Sequence, residues 1–199
     1  MNNKILILFT HPAIHKSRVN KRIIEYVRNL EGITFVDLYE KYPDFLIDVS
    51  SEQITLKEHE IVVFHHPFYW YGCPAILKEW MDLVLEYGFA YGPGGNELKG
   101  KKMMSVITAG GSKDAYKKGG YNNHTVREFL LPFEQTANLC GMQYLPPLVI
   151  HDAINMNLNL DLHQYAELYK NILIMLRDDR VKMDNLTEFE FINDYYKNL

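Results

Sequence analysis

The sequence has little cysteine, no excess of positive charge and no long apolar run. Its two cysteines, Cys73 and Cys140, are too few for a disulfide framework and lack the close Cys/His spacing of a zinc site. The net charge of −4 excludes the basic surface that holds a nucleic-acid backbone, so no nucleic-acid partner is expected. The first apolar run, Ile5 to Phe9, is shorter than a signal-peptide core or a membrane span. These absences predict a cytoplasmic protein in a reducing compartment.

The eight histidines also lack a metal-ligand pattern, such as two histidines one helical turn apart with a third ligand nearby. His65 and His66 are adjacent, and neighbouring residues of a strand point to opposite faces of the sheet. They are therefore not expected to share one metal ion, and we predict no metal site.

Apolar runs and helical spacings alternate along the chain. Strands are predicted at residues 4–9, 33–38, 60–64, 102–108 and 142–150. Helices are predicted at residues 17–30, from Ser50, and at 74–86, 125–140 and 160–177. Continuous apolar strands that alternate with helices predict an α/β fold with a doubly wound parallel sheet. Pro146 and Pro147 place the fifth strand at an edge or break it.

The composition, 47% hydrophobic and 23% charged, is that of one globular domain. We place this domain at residues 1–178 and a C-terminal tail at residues 179–199. The acidic and aromatic segment 187–191 predicts either a short added element, a surface for a partner or a loosely docked terminus.

The loop after the first strand carries hydroxyls, an imidazole and a cation just before a helix begins. The free N–H groups and the dipole at a helix N-terminus favour an anion, so this loop predicts a phosphate site. The alternative is that Ser17 only caps its helix. The loop spans residues 10–20 and includes His11, Ser17, Arg18, Val19 and Asn20.

Aromatic residues crowd the loop after the third strand. We call residues 67–71 the aromatic loop; it comprises Pro67, Phe68, Tyr69, Trp70 and Tyr71. Loops normally expose polar residues to water, so this composition predicts either a surface that holds a flat ligand or a small satellite core.

The loop after the fourth strand brings small residues, whose backbone N–H groups can approach a ligand closely. It comprises Thr108, Ala109, Gly110 and Gly111. The glycine motifs of the dinucleotide-binding Rossmann fold and of the P-loop are both absent. Ligands bind at the carboxyl ends of the strands of an open parallel sheet, where these three loops are expected to meet. An anion site, an aromatic surface and a donor loop together predict a flavin site.

The same segments resemble the NAD(P)H dehydrogenase (quinone) family of flavodoxin-like flavoproteins, which includes the ancillary oxidoreductases of glutathione-gated potassium efflux systems. The resemblance spans residues 5–177 and is most specific in the block from His66 to Trp80. Further matches are Thr10 to Pro12, Ser17 to Asn20, Phe89 to Gly92, Thr108 to Gly111 and Cys140–Gly141. It implies a flavodoxin-like five-stranded sheet of order 2-1-3-4-5 with helices on both faces.

The resemblance implies a flavin-dependent NAD(P)H:quinone oxidoreductase that binds FMN, with FAD as the alternative. A quinone or a similar flat acceptor would take the hydride after NAD(P)H has reduced the flavin. Many relatives have Gln at the position of Tyr69 and Thr at that of Ile107, so side-chain contacts at these two positions are open.

The resemblance implies that His11, Ser17, Val19 and Asn20 surround the flavin phosphate. It also implies that residues 68–71 run along the ring edge and that residues 108–111 meet the other side of the ring.

Three further residues enter by resemblance as well. Tyr116 matches a tyrosine near the flavin, and His124 lies close to the position of an imidazole that assists it, which falls on Asn122. Tyr91 matches an aromatic residue that reaches a partner's pocket and implies a homodimer. We therefore predict Tyr116 and His124 as catalytic, and Tyr91 and Tyr116 as part of the substrate pocket. Cys73 is expected to pack without a catalytic role.

Two alternatives stay open. The same pocket suits azo or nitro compounds as acceptors. The second alternative is that the chain is a regulatory flavoprotein subunit of a membrane potassium-efflux transporter, located at the inner face of the membrane.

Overall fold

A parallel β-sheet forms the centre of the computed structural model, which describes residues 2–157, 160–181, 186 and 188–198. The sheet has the order β2-β1-β3-β4-β5, and β6 also pairs with β4. Every pairing is parallel, which confirms the predicted doubly wound topology. The strands are β1 Ile5–Phe9, β2 Ile33–Asp37, β3 Ile61–Pro67, β4 Lys102–Thr108, β5 Gln143–Tyr144 and β6 Leu148–Ile150.

Helices pack on both faces of this sheet. They are α1 Arg18–Val27, α2 Leu38–Lys41, α3 Val49–Lys57, α4 Ala75–Val84, α5 Val126–Phe129, α6 Leu131–Leu139, α7 Asp161–Arg177 and α8 Ile192–Lys197. Short 3₁₀ turns occupy Ile14–Lys16 and Lys113–Ala115. Among the described residues no helix is both long and apolar enough to cross a membrane.

The two faces of β1 are both buried, as its continuous apolar sequence predicts. Ile5 and Ile7 pack in the core with α1 and α7, whereas Leu6 and Leu8 pack with α3, α4 and α6. The register aligns Ile5 with Ile61 of β3. As a result, the carboxyl ends of the central strands lie at one edge of the sheet.

Strand β3 extends three residues past its predicted end, because His65, His66 and Pro67 continue its pairing with β4. His65 packs edge-on against Phe9 at 5.0 Å, and His66 stacks on Phe133 at 5.6 Å on the opposite face. Burial lowers the pKa of His65 to about 3 and that of His66 to about 4. The core thus contains two neutral imidazoles, and the aromatic loop begins later than its sequence suggests.

Other departures from the prediction have local causes. The helix predicted at 125–140 is divided at Leu130, because Pro132 cannot supply an N–H to the preceding turn. Pro146 and Pro147 split the predicted fifth strand into β5 and β6. The short helix α2, capped by Asp37, was not predicted.

The helices next to the sheet are joined by a buried carboxylate. Glu52 of α3 is 1% exposed. Its oxygens accept hydrogen bonds from Lys41 Nζ at 2.6 Å, Tyr42 Oη at 2.7 Å and Trp80 Nε1 at 2.8 Å. A single charge therefore links α2, α3 and α4.

The C-terminal residues lie against the outer side of β6. The Ile192 N–H donates to the Pro147 carbonyl at 3.1 Å. The Asn193 side chain accepts from the Val149 N–H at 3.0 Å and donates to the Val149 carbonyl at 2.9 Å. Thr187, the first residue of the predicted added element, lies outside the described residues.

Candidate functional site

A cleft of about 390 Å³ opens at the carboxyl ends of β1, β3 and β4, where ligands bind in doubly wound folds. All three unusual loops of the sequence contribute to it, together with a fourth loop that follows β6. The lining residues are His11, Ala13, Lys16, Ser17, Arg18, Val19, Asn20, Pro67, Phe68, Tyr69, Thr108, Gly110, Ala153 and Ile154.

The N-terminus of α1 forms one end of the cleft. Ser17 caps this helix and accepts from the Asn20 N–H at 3.2 Å, as predicted for an N-cap. The N–H groups of Arg18 and Val19 find no acceptor in the part of the chain that the structure describes. Lys16 and Arg18 add positive charge, and the lining includes no carboxylate. These groups make the surroundings of this end of the cleft favourable for an anion.

Asn20 ties the helix to the loop after β4. Its Nδ2 donates to Ser17 Oγ at 3.0 Å and to Thr108 Oγ1 at 2.9 Å. Asn20 and Thr108 are both buried, so the bond between them is shielded from water. The anion end and the loop after β4 are therefore held in a fixed relation.

His11 and Tyr69 close the cleft from the side of the aromatic loop. His11 Nδ1 accepts from the Ala13 N–H at 3.1 Å, so in the neutral ring the proton is on Nε2. Burial lowers the pKa of His11, and the charge of His15 also disfavours a second proton. His11 Nε2 lies 3.5 Å from Tyr69 Oη. The imidazole N–H and the phenol together offer neutral hydrogen-bonding groups beside the anion end.

The backbone of the loop after β4 is divided between the sheet and the cleft. The Ala109 N–H donates to the Ile150 carbonyl at 2.8 Å, and Ala109 is fully buried. Gly110 lines the cleft, where an added Cβ would lie 2.8 Å from Ile154 Cδ1. The Gly111 carbonyl accepts from the Asp152 N–H at 3.1 Å. Of these three residues, the structure brings Gly110 alone into the cleft lining.

Phe68 is the buried centre of an aromatic cluster behind the cleft. Its ring lies 6.3 Å from Tyr71, 5.8 Å from Tyr116 and 5.8 Å from Phe129. Trp70 is 95% exposed and, like Tyr71, has a positive φ, which residues other than glycine adopt rarely. Trp70 and Tyr71 do not line the cleft. The aromatic loop thus divides into a cleft-lining part, residues 67–69, and an outward tip.

Tyr116 lies at the edge of this cluster. Burial raises the pKa of its hydroxyl, so the phenol stays protonated at neutral pH. Its ring also lies 5.9 Å from His151, a contact that the sequence did not indicate. Asn122 accepts a hydrogen bond from Tyr71 Oη at 3.2 Å. This bond connects the segment that carries Tyr116 and Asn122 to the aromatic loop.

His124 and Tyr91 lie apart from the cleft lining. His124 is exposed, and its Nδ1 lies 3.4 Å from the Glu128 carboxylate. Tyr91 packs edge-on against Tyr87 at 5.8 Å. Over the described ranges, no group of three or more His, Cys, Asp or Glu side chains is placed to hold a metal ion.

The fourth loop was not predicted from the sequence. Ala153 and Ile154 follow β6 and line the cleft, as does Lys16 in the first loop. The carboxyl end of β6 lies at the same edge of the sheet, which is the one indication that the sequence offered. The two prolines before β6 obscured it.

Known proteins share the fold of this chain. Residues 3–173 match a family described as having a flavodoxin-like fold. A glutathione-regulated potassium-efflux system ancillary protein KefG from Serratia proteamaculans is 48% identical over 148 residues, which cover 74% of this chain and 81% of that protein.

Two solved structures are also similar. The general stress protein 14 of Treponema denticola, in complex with FMN, has a TM-score of 0.81 at 37% identity and covers 87% of this chain and 99% of that one. An NADPH-quinone reductase from P. pentosaceus has a TM-score of 0.76 at 27% identity, with coverage of 85% and 97%. These findings confirm the resemblance drawn from the sequence. Because the family match spans residues 3–173 and includes every loop that lines the cleft, the chain belongs to the flavodoxin-like fold family.

Proposed function

We propose that this chain is an FMN-dependent NAD(P)H:quinone oxidoreductase. The observation that carries the proposal is the N-terminus of α1 at one end of a cleft whose side is aromatic. There the N–H groups of Arg18 and Val19 have no acceptor among the described residues, and Lys16 and Arg18 flank them. A phosphate monoester joined to a flat ring system matches both ends. The FMN bound by the Treponema denticola protein and the quinone reductase from P. pentosaceus support this choice.

The residues present fit FMN. His11, Ser17, Arg18, Val19 and Asn20 would hold the phosphate. Pro67, Phe68, Tyr69, Thr108 and Gly110 would contact the ring, while Tyr71, Ala109 and Gly111 would support those contacts from outside the lining. Trp70, at the outward tip, takes no part in them. The FMN complex of the Treponema denticola protein favours FMN over FAD.

When bound, FMN would supply the hydride-transfer chemistry between NAD(P)H and a quinone. The protein's part is to orient the reactants and to supply protons. The protonated hydroxyl of Tyr116 would donate a hydrogen bond to the acceptor oxygen. His124, whose ring contacts Phe129 beside Tyr116, is the second proposed catalytic residue. In a homodimer Tyr91 would complete the pocket from the partner. We place the protein in the cytoplasm or at the inner face of the membrane.

The test compares two arginines one turn apart on α1. Arg18 lines the cleft, whereas Arg22 is exposed and pairs with Glu25. Arg18→Ala should weaken FMN binding about ten-fold, the equivalent of about 1.4 kcal/mol, and Arg22→Ala should leave it unchanged. Riboflavin, which lacks the phosphate, should bind both variants equally. Wild-type protein that stays colourless with added FMN refutes the proposal, as does an equal loss in both variants.

The acceptor is tested separately. Holoenzyme turnover on a panel of quinones should exceed turnover on azo dyes and nitro compounds at matched concentrations. Faster turnover on the azo dyes would assign the chain to the alternative enzyme class.

A regulatory role is the second candidate, and the KefG protein of Serratia proteamaculans is the observation that favours it. Trp70 and Tyr121, more than nine-tenths exposed, are candidate contacts for a transporter. Co-purification with a membrane potassium-efflux transporter, lost in Trp70→Ala and Tyr121→Ala, would support this role. Efflux that is unaffected by the chain would exclude it.

A further inference from the structure

The side chain of Asn122 connects two tyrosine hydroxyls. Its Oδ1 accepts from Tyr71 Oη at 3.2 Å. Burial raises the pKa of Tyr116 and Tyr71 raises it further, whereas a hydrogen bond with the Asn122 side chain lowers it. A hydrogen bond lowers the pKa of a phenol when it is donated to the phenol oxygen, because it then favours the charged form. The only donor of the amide is its Nδ2–H group, so Asn122 donates to Tyr116 while it accepts from Tyr71.

The backbone holds Asn122 beside Tyr116. The Asn122 N–H donates to the Ala115 carbonyl at 2.9 Å, which closes the segment between them into a compact turn. At Gly120, inside this turn, an added Cβ would lie 2.4 Å from the Asp114 carbonyl oxygen. The turn is therefore tightly packed, and it fixes the position from which the amide reaches the phenol.

Tyr71 is held just as firmly from the side of the aromatic loop. Its ring stacks on Phe129 with the centroids 4.9 Å apart and the planes at 25°. The Gly72 N–H donates to the Tyr69 carbonyl at 3.0 Å, and Tyr71 between them has a φ of 62°. Such a backbone is unfavourable for a residue with a Cβ and persists where surrounding contacts maintain it. These contacts present the Tyr71 hydroxyl to Asn122.

The directions of these hydrogen bonds determine where the proton of Tyr116 points. Tyr71 donates to Oδ1, so the amide cannot turn its carbonyl towards Tyr116. The oxygen of Tyr116 accepts from Nδ2–H, and its own O–H must point away from the amide, towards a third group. Hydrogen bonds in such a chain polarise one another, which makes the last hydroxyl a stronger donor.

We propose that Asn122 and Tyr71 are positioning residues that direct the O–H of Tyr116 towards the acceptor oxygen of the substrate. The inference rests on the proposed function and deepens it, because it explains how the hydroxyl is oriented for the transfer. Both residues act through Tyr116.

The first test measures the pKa of Tyr116 in the protein as purified, by NMR of ring-¹³C-labelled tyrosine. The chain contains 14 tyrosines, and the signal that Tyr116→Phe removes identifies this one. Asn122→Leu deletes the donor without adding charge and should raise the pKa of Tyr116 above its wild-type value. Asn123→Leu deletes the neighbouring amide, whose Oδ1 accepts from the Gly119 N–H at 3.2 Å, and should leave that pKa unchanged.

The second test measures quinone turnover by the FMN-loaded enzyme. Asn122→Leu should lower kcat about ten-fold at unchanged quinone KM and unchanged FMN affinity. Asn122→Asp offers an acceptor in place of the donor and draws the proton of Tyr116 to itself, so kcat should fall at least as far. Tyr71→Phe keeps the ring on Phe129 but releases the amide, and kcat should fall about three-fold.

An unchanged pKa of Tyr116 in Asn122→Leu overturns the inference, as does a wild-type kcat in this variant. An equal rise of the pKa in Asn123→Leu overturns it too, because the turn as a whole would then be responsible. Failure of the protein to take up FMN refutes the proposed function instead, and the pKa of Tyr116 in the purified protein still decides whether Asn122 donates to it.

Discussion

Acidification should destabilise this protein through two histidines in the middle of its sheet. His65 and His66 are fully buried, and the ring nitrogens of His65 have no hydrogen-bond partner among the described residues. Burial lowers the pKa of His65 to about 3 and that of His66 to about 4, from an ordinary value of 6.5. The folded protein therefore keeps both rings neutral at a pH where the unfolded chain protonates them.

The size of the effect follows from proton linkage. Below an unfolded pKa of 6.5, each ring favours the unfolded state by about 1.4 kcal/mol per pH unit, until its folded pKa is reached. Between about pH 7 and about pH 5 this amounts to about 2 kcal/mol for each histidine, or about 4 kcal/mol for both. Stability is thus retained near neutrality and lost as the pH falls, which is a large part of the ~5–15 kcal/mol typical of a domain.

Urea unfolding at several pH values, followed by the fluorescence of buried Trp80, measures this loss. His65→Leu removes one titrating group and should lower the pH-dependent loss by about 2 kcal/mol. Val63→Ala, at a buried position in the same strand, should reduce stability equally at every pH. A wild-type stability that does not change between about pH 7 and about pH 5 would refute the reasoning, and so would the same pH slope in His65→Leu as in the wild type.

Three further substitutions test the scaffold around the cleft. Glu52→Gln removes a buried charge that accepts from three donors, and the free energy of unfolding should fall by about 2 kcal/mol in urea melts. Thr108→Val deprives Asn20 of its buried partner and should cost about 1 kcal/mol, together with weaker FMN binding in a fluorescence titration. Gly95→Ala places a Cβ 2.1 Å from a backbone carbonyl oxygen and should lower the melting temperature, whereas Gly72→Ala, with no atom within 4 Å, should not; equal melting temperatures would contradict the tight packing of the turn at Gly95.

The sheet was predictable because its central strands are continuous apolar runs, the pattern expected of strands that are buried on both faces. The start of α1 was predictable as well, because serine is a residue type that caps helices and Ser17 caps this one. The end of β3 was not, because His65 and His66 are polar in sequence but lie in a buried strand.

The position of Ile154 in the cleft lining was not predictable, because it follows a predicted strand that two prolines interrupt. No local sequence pattern indicated the contact of Asn193, because its partner Val149 is far away in the sequence. Contacts of this kind depend on the tertiary fold and not on local propensity.

The pairing of Asn193 with Val149 bears on how the molecule avoids self-association. An exposed strand edge offers unpaired N–H and carbonyl groups to another copy, and β6 is the edge of this sheet next to the C-terminus. The amide of Asn193 satisfies both outward groups of Val149, so one side chain takes the place of a neighbouring strand. Loss of the C-terminal residues would open this edge to intermolecular β-pairing, and aggregation would be expected before any loss of the central sheet.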